Sequence, residues 1–377
     1  MKDGLDLHLG SGRPRPDAAL DDRRPRPMVE SAIDHSCAER YGHGRKGAIH
    51  DRQGCELVKR LLSALLSLLA GATVALVAVP AFPAQAGIWH EYPSSANRTC
   101  SATRTYNGTA YQVCLEFNDA RTQVRAVAFI NPGAYTNFQV NLRLAFGDGG
   151  PTITDSCPTM TTNASRACYT GFTALRRTYV VADADVGIAG AWMTPIRALD
   201  MQLSGKEQEK GNWCGPAAAQ TIIATMGISA PPQSTLADKM ETTALGTMPW
   251  MMKGSLNAYV PQDFPYKDYE VAASGLPSIR GLEVVVKSLS RGRPVAVLVK
   301  PGQLPWSPDA PGSYRHYIVI HGFGGHQWSE PGFWPWVPDN FKVWDPGTAR
   351  EENLTMDQFF HAALGAELSD SAWAISS

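Results

Sequence analysis

Between residues 88 and 198 apolar and polar positions alternate with a period of two. Phe138, Val140, Leu142, Leu144 and Phe146 interleave with Gln139, Asn141, Arg143 and Ala145, the rhythm of a strand with one buried face. Segments 111–117, 123–130 and 178–182 read the same way, with turns such as Gly147-Asp148-Gly149-Gly150 between them. After residue 200 the period changes. Residues 214–226 are good helix formers with Ile222, Ile223 and Met226 on one face. Pro216 suits the first helical turn, and Gly227 stands where a left-handed C-cap belongs. The stretch 229–276 is rich in Pro and Met with weak periodicity, which predicts short helices and loops. A helix is expected over 278–290, with Ile279, Leu282, Val286 and Leu289 on one face. Strands follow at 294–299, 314–322 and 341–344, and a helix at 356–364. Strands first, then a helix followed by strands, predicts an α+β chain with a small β-sandwich leading.

Composition narrows this picture. The chain has 377 residues, 44% hydrophobic and 18% charged, with a net charge of −1. That is globular, long enough for two domains, and gives no basis for nucleic-acid binding. Residues 1–57 are rich in Arg, Pro, Asp and His without apolar periodicity, so they read as a disordered or mis-called leader. Translation from Met28 or Val58 is the alternative start. Residues 58–86 have the order of a secretory signal: Lys59-Arg60, an apolar run, then Ala84-Gln85-Ala86. Cleavage near Ala86 gives a secreted protein with no stable membrane insertion; an uncleaved anchor over 61–79 is the alternative. Residues 87–199 contain no Lys, and the change in composition sets a boundary near 200, with the second domain at 200–377.

Cysteine usage divides at the same place. Cys100, Cys114, Cys157 and Cys168 fall in the first domain, and Cys214 is alone in the second. In an oxidising compartment the even set is expected to pair and the odd one to remain a reactive thiol. Three pairings are possible, the simplest being Cys100–Cys114 with Cys157–Cys168.

The chemistry centres on that odd thiol. Cys214 opens the Ala-rich helix, where the positive end of the helix dipole favours the thiolate. Six residues earlier Gln208 offers an amide to an oxyanion. A thiol nucleophile needs a base, and the base needs an orienting group. His90, His316, His321, His326 and His361 are available beyond the signal. His316 begins an apolar strand and is the first choice; His321, an odd number of residues on, faces the other way and is second. Asp345 ends the next strand before Pro346-Gly347 and is the candidate orienter, with Asn340 and Asp339 behind it. Each residue also has a plain reading: Cys214 a small core hydrophobe, His316 a satisfied polar group, Asp345 a turn former, Gln208 a solvated loop residue. The Trp-rich stretch 327–336 reads as hairpin packing or a substrate wall. Met248, Met251 and Met252 read as core filling or a cleft lid. Gly322-Phe323-Gly324-Gly325 reads as a turn, because no ribose-binding acid follows it.

Taken together, Gln208, Trp213-Cys214-Gly215-Pro216-Ala217-Ala218, His316-Tyr317-Ile318-Val319-Ile320-His321-Gly322 and Trp344-Asp345-Pro346-Gly347 resemble the papain-like cysteine peptidases of the double-glycine-leader, bacteriocin-processing type. The similarity is greatest to stand-alone secreted relatives and spans roughly 200–375. It implies a nucleophile helix packed on an antiparallel sheet. It also implies Cys214 as nucleophile, His316 as base, Asp345 as orienter and Gln208 as oxyanion donor beside the Cys214 N–H. A peptide or protein is the implied substrate, with neither a metal nor an organic cofactor. Two other functions stay open: an acyl transferase or amidase acting on cell-wall peptides with the same residues, and a non-catalytic binding protein on this scaffold. Oligomeric state is not readable.

Overall fold

In the computed structural model, the residues described are 88–93, 97–147, 150–175, 179–273, 276–277, 279–310, 315–328, 336–364 and 371–377. The expected leader at 1–57 and signal at 58–86 lie outside them, as does the aromatic stretch 329–335. The described residues belong to one unit, Ala81–Ser377.

Twelve strands come first. They are β1 (Trp89–His90), β2 (Arg98–Cys100), β3 (Arg104–Tyr106), β4 (Thr109–Phe117), β5 (Gln123–Asn131) and β6 (Asn137–Phe146). They continue as β7 (Thr152–Thr161), β8 (Arg166–Tyr169), β9 (Thr173–Ala174), β10 (Tyr179–Ile188), β11 (Ala191–Trp192) and β12 (Ile196–Met201). Three helices follow: α1 (Cys214–Thr225), α2 (Gln233–Lys239) and α3 (Pro249–Asn257). Then come β13 (Lys267–Ala273), β14 (Leu276–Pro277), α4 (Ile279–Ser290) and β15 (Val295–Val299). The chain ends with β16 (His316–Gln327), β17 (Trp336–Asp345), β18 (Arg350–Thr355), α5 (Met356–Leu364) and β19 (Ser371–Ser376). The fold is α+β and rich in sheet.

One sheet has the order β1-β8-β5-β4-β2, with β3 added to β4 and β9 to β5. The second runs β14-β13-β19-β15-β16-β12-β10-β6-β7, with β17 on β16 and β18 on β17. Val113, Leu115, Val124 and Ala126 of the first sheet meet Val140, Leu142, Leu144 and Val186 of the second in a common core. The alternation along 138–146 is the cause: β6 buries every second side chain against the facing sheet. Disulfides join Cys100 to Cys114 within the first sheet and Cys157 to Cys168 between the sheets. This is the simplest of the three pairings.

Strand β12 belongs to two cores at once. It pairs with β10 on one side and β16 on the other. Ile196 and Ala198 pack into the sandwich core, whereas Leu199 and Met201 join Val286, Leu289, Ile318 and Phe341 in the core beyond. The composition boundary near 200 therefore falls within a hydrogen-bonded strand. Asp200 turns towards the sandwich and is 1% exposed. Its Oδ2 accepts from Thr99 Oγ1 at 2.6 Å and from Lys342 Nζ at 2.9 Å, with Arg121 at 3.4 Å. His321 Nδ1 lies 3.4 Å from Oδ1. Burial opposes ionisation of Asp200, but Lys342, His321 and Thr99 hold its carboxyl well below the ordinary range.

The stretch Gly322-Phe323-Gly324-Gly325 is not the turn expected from its composition but the middle of β16. The glycines are there for close approach. A Cβ on Gly324 would stand 2.3 Å from the Cys100 carbonyl oxygen, and one on Gly322 2.6 Å from that of Leu199. Asn340 Oδ1 accepts from the Gly324 N–H at 3.0 Å. The methionines divide: Met252 is fully buried, while Met248 and neighbouring Trp250 are 40% and 48% exposed.

Candidate active site

Helix α1 begins at Cys214, and small residues at Ala217, Ala218 and Ala219 let it lie close on β15 and β16. Cys214, Ala218 and Ile222 share a core with Ala296, Tyr317 and Val319. No side chain caps the helix start, so its first amides are left to other partners. Gly227, at φ 75°, closes the other end as expected.

The spacing of Gln208 from Cys214 follows from how the preceding segment lies along this helix. Thr225 Oγ1 accepts from the Ser204 N–H and Thr221 Oγ1 from the Lys206 N–H, both at 3.0 Å. Two extended residues advance about 6.6 Å and four helical residues about 6 Å, so the two run in step. The next step carries Gln208 to the first turn of α1. The segment is held from outside as well: Trp344 Nε1 donates to the Lys206 oxygen at 3.2 Å, and Gln233 Nε2 to the Glu207 oxygen at 2.7 Å. The Gln208 N–H donates to the Pro346 oxygen at 3.0 Å, tying it to the turn after Asp345. Its side-chain amide faces the Gly211 oxygen at 3.5 Å, in the turn leading to Cys214.

His316 is the first residue of β16, opposite Val299, and is 4% exposed. Its Nε2 is 2.6 Å from Asp345 Oδ1, so Nδ1 is the nitrogen left to serve the thiol. Asp345, the last residue of β17 and 2% exposed, has both oxygens occupied. Oδ1 also accepts from the Gly347 N–H at 2.7 Å, and Oδ2 accepts from Trp306 Nε1 at 2.7 Å. A Cβ on Gly347 would come 3.1 Å from the imidazole Cε1. One residue after the thiol, a Cβ on Gly215 would collide with Thr247, whose carbonyl accepts from the Tyr317 hydroxyl at 3.2 Å.

These contacts set the charges. Burial raises the Cys214 pKa, but the hydrogen bond and charge of His316, with backbone hydrogen bonds from Tyr317 and Gly215, bring it below the ordinary thiol value. Burial lowers the His316 pKa, yet Asp345 and Cys214 raise it to about 9. Burial raises the Asp345 pKa, and His316, Trp306 and Gly347 take it down to about 2. Each shift is toward the charged form: thiolate, imidazolium and carboxylate.

Cys214, His316 and Asp345 thus come together, with Gln208 on the loop beside them. The second-choice groups do not join them. His321 lies against Asp200, Asp339 pairs with His326 at 3.0 Å and Arg104 at 3.2 Å, and Asn340 bonds the backbone of β16. The sequence marks Gly347 only as part of the turn after Asp345, and it gives no sign of Trp306. Trp306 is 39 positions from Asp345 and carries no local signal of that contact. Among the described residues no group of three His, Cys, Asp or Glu side chains is arranged to hold a metal.

Residues 200–363 match the model of the Peptidase_C39 like family. The match opens at Asp200 inside β12 and spans the motifs around Cys214, His316 and Asp345. No curated protein matches the chain. Among solved structures, the peptidase domain of Streptococcus ComA, a bi-functional ABC transporter involved in a quorum sensing pathway, aligns at 14% identity. The alignment covers 46% of this chain and 96% of that one, with a TM-score of 0.28, a likeness that carries no argument.

Proposed function

We propose that the protein is a secreted cysteine peptidase that hydrolyses peptide bonds at Cys214. The observation that carries this reading is the buried His316 held at 2.6 Å by Asp345, with the Cys214 pKa drawn below its ordinary value beside it. The match of 200–363 to a peptidase family supports the same chemistry. In this reading the domain is papain-like, with α1 as the nucleophile helix on the antiparallel strands β15, β16 and β17.

The thiolate of Cys214 attacks the scissile carbonyl carbon, and the C=O π electrons move onto oxygen. Gln208 and the Cys214 N–H hold that oxyanion. As the tetrahedral centre collapses, the C–N bond breaks and His316 gives its proton to the departing amine, leaving a thioester. Water then attacks the thioester, His316 takes a proton from it, and collapse releases the carboxylic acid and restores the thiolate. Asp345 keeps the imidazole in one tautomer and orientation throughout. Residues 58–86 act as a signal removed near Ala86, and the two disulfides suit the oxidising side of the membrane. No described helix is long and apolar enough to cross a membrane.

The test is hydrolysis of a peptide library by the mature protein, wild type against Cys214→Ala. Cleavage that vanishes in the variant supports the peptidase. If added amine is incorporated in place of water, the acyl-transfer reading replaces it. A Cys214→Ala protein that keeps its function marks a binding protein.

A further inference from the structure

The Asp345 carboxylate is more heavily held than an orienting group needs in order to accept one imidazole N–H. Oδ1 carries two donors, His316 and Gly347, and Oδ2 carries the indole of Trp306 at 2.7 Å. Asp345 is 2% exposed, so an oxygen without Trp306 would be cut off from both protein donors and bulk water. The carboxylate could then turn about its last bond and trade one oxygen for the other in front of His316.

Trp306 reaches this place through short, restrained chain. Strand β15 ends at Val299, opposite His316, so the connection leaving it starts beside the imidazole. A turn at Pro301–Gln303 follows, closed by the Leu304 N–H on the Pro301 oxygen at 2.9 Å. Pro305 and Pro308 flank the tryptophan, and the Ser307 N–H donates to the Leu304 oxygen at 3.0 Å. The ring itself packs against the core that contains Ile318 and Phe359. The indole is therefore a fixed donor aimed at one carboxylate oxygen.

We propose that Trp306 is a positioning residue of the active site: its N–H locks the Asp345 carboxylate so that Oδ1 alone faces His316. This rests on the peptidase reading and adds to it. Among the described residues, the titratable side chain bonded to the carboxylate is His316 on β16, which in turn meets Cys214 at the start of α1; Arg350 stands opposite Asp345 in the β17–β18 register. Loss of the indole donor loosens the Asp345 hold on His316 and lets the imidazolium give up its proton at lower pH.

The experiment is Trp306→Phe in the full mature protein, which keeps an aromatic body in the core and removes only the donor. Three readouts are taken: peptide hydrolysis, the pH profile of Cys214 alkylation, and the proton resonance of the His316 ring N–H. A melting temperature close to wild type shows that the fold is kept. The expected result is a fall in kcat of about 10-fold or more with KM little changed, the scale of a lost hydrogen bond to a charged group. The alkaline end of the alkylation profile moves down by about one pH unit, and the ring N–H resonance shifts or broadens. Wild-type values for kcat, profile and resonance in a folded variant overturn the proposal. A wild-type protein that alkylates as a thiolate but cleaves no peptide overturns the peptidase reading alone, since the profile and resonance still report on Trp306.

Discussion

Lys342→Met tests whether the charge buried between the sandwich and the candidate catalytic strand is a structural tie. Lys342 is 8% exposed and lies 2.9 Å from both Asp200 and Glu351. Methionine keeps the length of the stem and removes the ammonium. Asp200, 1% exposed, is then left with Thr99, Arg121 and His321. Breaking a buried pair from one side costs about 3–5 kcal/mol. Because those partners remain, the low end applies, about 3 kcal/mol, or roughly 6–12 °C in Tm for a chain of this size. The pH dependence separates a charge effect from a packing effect. In the wild type the Asp200 pKa is depressed, so its contribution is present above the ordinary carboxylate value of about 3.9 and is lost as pH falls through the folded value. In the variant that pKa rises, and acidification neutralises the stranded charge. Thermal unfolding at pH 7 and near pH 4.5 is therefore expected to show a large deficit at the first and a smaller one at the second. Asp200→Asn in the Lys342→Met background should recover part of the loss. A variant that melts like the wild type, or whose deficit is equal at both pH values, would refute the reasoning.

Two further outcomes follow from the same geometry. Gln208→Ala should lower kcat by about 10²–10³, the usual cost of an oxyanion donor, while Cys214 alkylation keeps its wild-type pH profile; parallel loss of both would place Gln208 in the thiol's environment instead. A protein cut to residues 200–377 should fail to fold, as followed by far-UV circular dichroism. It loses the β12–β10 ladder, most of the β12–β16 ladder and the Thr99 and Arg121 contacts to Asp200. A folded fragment with a reactive Cys214 would show residues 87–199 to be dispensable.

What was legible in the chain was what has a short period. The alternation along 138–146 and the helix at 214–226 appear as β6 and α1, because each is decided by neighbours two or four positions away. The closing helix at 356–364 has the bounds of α5. Cys214, His316 and Asp345 each stand in a local motif at the end of an element, which made them visible one at a time. Their meeting depends on strand order. Strand β12 was not visible, because a strand shared by two cores buries both faces and shows no alternation. Gly322-Phe323-Gly324-Gly325 reads as a turn for a related reason: its glycines are set by backbones that cross them from far away, Gly324 by Cys100 of β2, more than 200 positions off, and Gly322 by Leu199 of β12. Trp306 was hidden in the same way, an unremarkable aromatic between prolines until the β15–β16 pairing brings it over Asp345.

The most direct test of the central claim is the rate of Cys214 alkylation by iodoacetamide across pH, for the mature wild type and for His316→Ala. The thiolate–imidazolium pair predicts rapid labelling well below the ordinary thiol pKa of about 8.5, extending up to the His316 value of about 9 and changing character beyond it. In His316→Ala the low-pH labelling should disappear, because burial then raises the thiol pKa unopposed by the imidazole. Labelling of the wild type that begins only above the ordinary thiol value, and is the same in the variant, would contradict the account.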